Sequence, residues 1–154
     1  MKKIKIIILL FVFFSGICYS QDCGNFLQWS ELNKSNRRNY SKYLEPKSAT
    51  IGIKDTLRYN IVFYGNRDYV ITFAADHLYY PINIRLLIPG TRDVIYDNAT
   101  DDYCVSFGVG FYNTQNLIIE ATLLADQVKD KIKNNDNVCV IMQLQFKKIF
   151  SKKE

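Results

Sequence analysis

From Ser48 onward the side chains alternate in character. Leu57, Tyr59, Ile61 and Phe63 share one parity, while Arg58 and Asn60 take the other. Tyr69, Ile71, Phe73 and Ala75 repeat the pattern, and so do Ile82, Ile84, Leu86 and Ile88. A period of two puts successive side chains on opposite faces of a strand. Each apolar face must then be buried against another sheet. The same rhythm returns in Val105, Phe107, Val109 and Phe111, whose opposite parity holds only Cys104, Ser106, Gly108 and Gly110. A further apolar run fills 117–123. The last strand sets Val138, Val140, Met142, Leu144 and Phe146 against Cys139, Ile141, Gln143, Gln145 and Lys147.

Turn residues punctuate these runs at Gly65-Asn66-Arg67-Asp68, at Pro89-Gly90-Thr91-Arg92-Asp93 and at 113–116. The first of them predicts a hairpin between the Tyr59 and Tyr69 runs. About eight strands with regular turn spacing predict an all-β, antiparallel β-sandwich. Each sheet is expected to be wet on its outer face. No helical blocks alternate with the strands, which argues against a parallel α/β sheet.

The N-terminus has a different grammar. Lys2, Lys3 and Lys5 precede an unbroken apolar run over residues 6–14, Ser15-Gly16-Ile17 ends it, and Cys18-Tyr19-Ser20 then puts small residues three and one positions before Gln21. This is the order of a secretory signal peptide. A membrane anchor needs roughly 20 apolar residues, and a lipoprotein needs a small residue before the modified cysteine, where this chain has Ile17. Cleavage after Ser20 is expected, with export to the periplasm or the extracellular space. No membrane span is expected in the mature chain. Residues 21–47 read as an N-terminal arm, with Phe26, Trp29 and Leu32 at helical spacing, and 48–150 as the sandwich domain.

Charge narrows the function classes. The 20 basic residues include the three lysines of the leader, so the mature chain is close to balanced against its 15 acids. Arg37-Arg38 and the C-terminal lysines are short, separate pairs. A nucleic-acid partner wants a basic stripe with stacking aromatics, so none is expected. Cys23, Cys104 and Cys139 remain after cleavage. An oxidising compartment predicts one disulfide and one thiol, and all three pairings stay open.

Three clusters are candidate sites. Asp76, His77, Tyr79 and Tyr80 combine exposed aromatics with hydrogen-bonding groups, which suits stacking on a sugar or gripping a protein. Asp97, Asn98, Asp101 and Asp102 offer oxygens that Ca²⁺ accepts, although Asn and Asp also make turns by bonding their own backbone. Asp76 with Asp55 or Glu120 is the acid/base pair to weigh for a glycosidase. His77 is the sole histidine and has no neighbouring Ser or Cys, so no catalytic residue is assigned. No cofactor other than Ca²⁺ is expected.

The segments Tyr59-Asn60-Ile61-Val62-Phe63, Asp68-Tyr69-Val70-Ile71, Val94-Ile95-Tyr96-Asp97-Asn98, Ser106-Phe107, Leu117-Ile118-Ile119-Glu120 and Val138-Cys139-Val140 resemble small exported β-sandwich proteins of Gram-negative bacteria, of unknown function. They are also similar to jelly-roll modules of the GOLD and pre-peptidase C-terminal kinds. The resemblance implies a jelly-roll-like fold and an accessory or interaction role, with no catalytic residue to transfer. The expectation is therefore a non-enzymatic binding module for a protein or an envelope glycan. The alternative is a small secreted hydrolase or an enzyme inhibitor, the latter acting through a protruding loop for which 126–137 is the candidate.

Overall fold

The structure, a computed structural model, describes Cys23 and residues 39–125 and 137–149. The leader, Phe26, Trp29, Leu32, residues 126–136 and the C-terminal tail lie outside the described residues, together with the expectations placed on them.

Eight strands are present among the described residues: β1 Ser41–Ile51, β2 Thr56–Phe63, β3 Arg67–Ala74, β4 Ile82–Leu87, β5 Val94–Asp97, β6 Ser106–Phe111, β7 Gln115–Leu123 and β8 Val138–Lys148. They form two four-stranded sheets, ordered β1-β8-β3-β6 and β2-β7-β4-β5. Every pairing is antiparallel. Strand 1 pairs with 8, 2 with 7, 3 with 6 and 4 with 5. The chain is thus one long hairpin, tipped at the β4–β5 turn, whose pairs fall alternately into the two sheets. That is the jelly-roll form of the sandwich.

The inward parities are those the sequence predicts. Phe63, Tyr69, Ile71, Phe73, Ile82, Ile84, Leu86, Leu117, Ile119, Leu123, Met142 and Leu144 are fully or almost fully buried in one core. Burying a side chain of this size contributes about 1.5–3 kcal/mol. At one end the core closes with rings. Phe63 meets Tyr69 edge-on at 4.9 Å between centroids and Phe111 at 5.0 Å, and Tyr43 meets Tyr69 at 5.1 Å.

Three expectations change. The Tyr59 and Tyr69 runs do not make a hairpin, since β2 pairs with β7 while β3 pairs with β6 and β8. The turn between them carries the chain from one sheet to the other. Two alternating runs joined by a tight turn look the same in sequence whether they share a sheet or face each other across the core. Second, β1 starts at Ser41, within the stretch read as arm. It is an edge strand with register irregularities on both sides of Leu44, and these break its alternation. Third, the outer face of the first sheet is not wet. Val70, Thr72, Ala74, Ile141 and Gln145 point away from the core yet are buried. Cys139 lies on the same side and is bonded to Cys23, which settles the disulfide and leaves Cys104 as the free thiol among the described residues.

Gly65 sits in the crossing turn, where an added Cβ would lie 2.4 Å from the Tyr112 carbonyl oxygen. The β2–β3 and β6–β7 turns approach too closely for any side chain there. Gly65→Ala is therefore expected to destabilise the domain by about 1–3 kcal/mol, the usual cost of overpacking. Chemical denaturation checks this, and an unchanged midpoint would contradict the close approach.

Candidate functional site

The outer face of the second sheet is open, and its register lays out three cross-strand rows. Arg58 pairs with Glu120, Glu120 with Arg85, and Arg85 with Asp97, giving a row of alternating charge. One pleat repeat along, roughly 7 Å away, Asn60, Ile118 and Leu87 make a more apolar row that Val94 extends. The next row holds Val62 opposite Asn116. Beyond it the β2–β3 and β6–β7 turns present Tyr64 and Tyr112.

Glu120 sits on β7, one of the two inner strands of this sheet, and its side chain is only 1% exposed because three arginines cover it. Its Oε1 accepts from Arg58 Nε at 2.6 Å and from Arg92 Nη2 at 2.5 Å, and its Oε2 accepts from Arg85 Nη2 at 2.8 Å. Burial is the largest single influence on this carboxyl and opposes its charge. The hydrogen bonds from Arg58 and Arg92 and the charges of Arg92 and Arg85 together outweigh it and hold the group below its ordinary value. The signal in the sequence was a lone acid inside the apolar run Leu117-Ile118-Ile119-Glu120-Ala121. Its partners lie 62, 35 and 28 residues away, on two other strands and a turn, so sequence alone does not pair them.

Exposed apolar surface gathers at the same face. Val62, Ile88, Val94 and Ile95 belong to the second sheet or its β4–β5 turn, and Tyr64 and Tyr112 to turns that border it. Leu78 is the remaining large apolar side chain that is exposed among the described residues. The turns carrying the two tyrosines are braced. Asn66 N–H donates to the Tyr112 carbonyl at 3.2 Å, Gly65 N–H to Thr114 Oγ1 at 3.0 Å, and Tyr64 N–H to the Tyr69 hydroxyl at 2.8 Å. The Arg67 guanidinium lies over the Tyr64 ring at 5.2 Å. Tyr112 itself is 80% exposed. Beside this end, Asn39, Ser41, Asp68 and the chain from Phe146 to Ile149 line a shallow groove of about 760 Å³.

The clusters singled out in the sequence lie at the opposite end. Asp76 caps a 3-10 turn over His77–Tyr79 by accepting from Leu78 N–H, and it also contacts His77 Nδ1 at 3.2 Å. The Tyr79 and Tyr80 rings pack against the core, leaving His77 outside. Asp97 caps a second 3-10 turn, Asn98–Thr100, and accepts from both Ala99 N–H and Asn83 Nδ2. Asn98 is fully buried: its Oδ1 accepts from Ile84 N–H at 2.7 Å, and its Nδ2 donates to the carbonyls of Ile82 and Cys104. Asp101 sits 3.5 Å from the Tyr96 hydroxyl. Burial first, and then Asp101, push that hydroxyl up to about 12. Asp102 is exposed in left-handed backbone. These residues thus build two caps and a core hydrogen-bond network. Among the described residues no group of three or more His, Cys, Asp or Glu is placed to hold a metal ion. The three carboxylates weighed as an acid/base pair are engaged separately, Asp55 with Gly52 N–H, Asp76 in its cap and Glu120 under its arginines. Among the described residues no helix is long and apolar enough to cross a membrane.

No family model matches the sequence, and no curated protein matches it. Among solved structures the chain is similar to PliG of Aeromonas hydrophila, a periplasmic inhibitor of g-type lysozyme. The two share 11% identity over 71% of this chain and 87% of that one, with a TM-score of 0.48.

The lowered Glu120 value fixes the sign of one pH effect. A carboxyl held below its ordinary 4.5 contributes stability above that pH and loses it as pH falls through the folded value. Glu120→Gln should lower stability at pH 7 by about 2 kcal/mol, the scale of a charge-assisted hydrogen bond, and should flatten the loss of stability on acidification below pH 4.5. Unfolding curves at pH 7 and at more acid pH check both. An identical acid slope in the variant would contradict the assignment.

Proposed function

We propose that the chain is an exported, non-enzymatic binding module that holds a protein partner on the open face of its second sheet. The observation that carries this reading is the clustering of exposed apolar side chains on one face and its bordering turns. Large apolar side chains left exposed together on one side of a domain mark an interaction surface. Tyr and Arg are the residue types that dominate interface energetics, and here Tyr64, Tyr112 and Arg67 stand on braced turns. Bracing lowers the ordering cost of association. The leader-like N-terminus and the Cys23–Cys139 disulfide support an oxidising, extracytoplasmic compartment.

The test is retention of a protein from an envelope extract of the encoding organism on the immobilised chain. A specific partner should be retained by the wild type. It should be lost at least tenfold from a Tyr64→Ala/Tyr112→Ala variant, since two aromatic anchors at an interface together contribute more than about 1.4 kcal/mol. Retention of a glycan with no protein, or equal retention by the variant, would overturn the reading.

One observation favours a more specific version, an enzyme inhibitor. Tyr112 projects from a turn whose backbone is tied to the neighbouring turn, which is the kind of rigid protrusion that fills a cleft. In a panel of secreted and envelope hydrolases that includes lysozymes, the chain should inhibit at least one enzyme, and Tyr112→Ala should abolish the effect. Inhibition that survives the substitution would move the contact elsewhere.

A further inference from the structure

We propose that Arg58, Arg85 and Arg92, held in place by Glu120, form a cradle on the open face that receives a carboxylate side chain of an acidic protein partner. The inference deepens the partner-binding reading and rests on it.

The three arginines carry three positive charges around one buried carboxylate, so Glu120 leaves most of the cationic charge uncancelled. Two of the guanidinium groups, those of Arg58 and Arg92, converge on the same oxygen, Oε1. Like charges held that close repel, and a second anion in front of them relieves the repulsion. The donors to receive it are present. Arg58 meets Glu120 through Nε, which leaves its two Nη groups directed elsewhere, and Arg92 and Arg85 each meet it through Nη2 alone. The side chains remain 59%, 47% and 37% exposed for Arg58, Arg92 and Arg85, although the carboxylate beneath them is sealed. Arg85 Nε is buried and has no hydrogen-bond partner.

The backbone also commits to this arrangement. Arg92 lies in the β4–β5 turn at φ 65°, a left-handed conformation that is unfavourable for a residue with a Cβ, and its N–H is tied to the Ile88 carbonyl at 3.0 Å. The turn thereby sends Arg92 back over the sheet to Glu120. A guanidinium fork matches a carboxylate bidentately, and two pre-positioned forks lose little freedom on binding one. Asp97, the acid at the end of this row, is occupied by Asn83 and Ala99. The exposed side chains of Val62 and Val94 stand on strands of the same sheet, so an acidic group flanked by apolar side chains is the complementary partner surface.

The test uses fluorescein-labelled hexaglutamate and hexaglutamine peptides with the mature chain, read by anisotropy. Hexaglutamate should bind at least tenfold more tightly than hexaglutamine and should weaken steeply with added salt. Arg92→Gln and Arg58→Gln should each reduce that preference about tenfold. Because each also removes a hydrogen bond to the buried Glu120, a lower unfolding midpoint is expected, and binding is read at a temperature where circular dichroism shows the variant fully folded. Equal binding of the two peptides, or a preference that survives both substitutions, would overturn the cradle. Binding to phosphatidylglycerol vesicles that matches the acidic peptide would also overturn it, in favour of a membrane surface. In the extract experiment, a partner that depends on Tyr64 and Tyr112 but is indifferent to Arg58→Gln and Arg92→Gln removes the cradle and leaves the module reading standing. Absence of any captured protein removes both.

Discussion

The parity of side chains along each strand governs this molecule. Once Phe63, Tyr69, Ile84, Ile119 and Leu144 must share an interior, the neighbouring residues have no choice of side. The rolled hairpin satisfies that demand with nested antiparallel pairs, and the chain crosses between sheets through tight turns at β2–β3 and β6–β7 and through longer links at β3–β4 and β5–β6. The turn at Gly65 is one such crossing, and the ring cluster of Tyr43, Phe63, Tyr69 and Phe111 fills the end beneath it. The shape of that end, with two tyrosines lifted on tied turns, follows from the way the core is closed.

The two outer faces then diverge. On β3 and β8 the outward residues Val70, Ala74 and Ile141 are apolar and buried, beside the Cys23–Cys139 bond. On β2, β7 and β4 the outward residues include Arg58, Glu120 and Arg85, a network that no purely apolar sheet requires. Replacing a buried ion cluster with apolar residues is often neutral or stabilising. The Glu120 cluster is thus poorly explained by stability alone and well explained by what it displays to solvent.

Much of the fold was legible in the sequence. Period-two patterning gave the strands and their inward faces, because the pleat converts parity directly into side. Pairing was less legible, because the Gly65 turn reads alike for a hairpin and for a crossing. The edge strand β1 was hidden from Ser41 to Lys47 by its irregular register, which interrupts the alternation. The site was the least legible part. Asp76, Asp97 and Asn98 stood out as clustered polar residues, and the structure uses them to cap turns and satisfy buried backbone. Arg58, Arg85, Arg92 and Glu120 are scattered along the chain and meet only through the β2-β7-β4 order and the β4–β5 turn. A lone acid within an apolar strand was the available hint, and it gave no partner.

The contrast between a closed and an open outer face is the claim on which the functional reading stands. Hydroxyl-radical footprinting of the free, disulfide-intact chain measures it directly, residue by residue. The account predicts rapid labelling of Val62, Tyr64, Val94 and Tyr112, with Val70, Ile141 and the core Tyr69 protected. Labelling of Val70 and Ile141 as fast as that of Val62 and Val94 would contradict it.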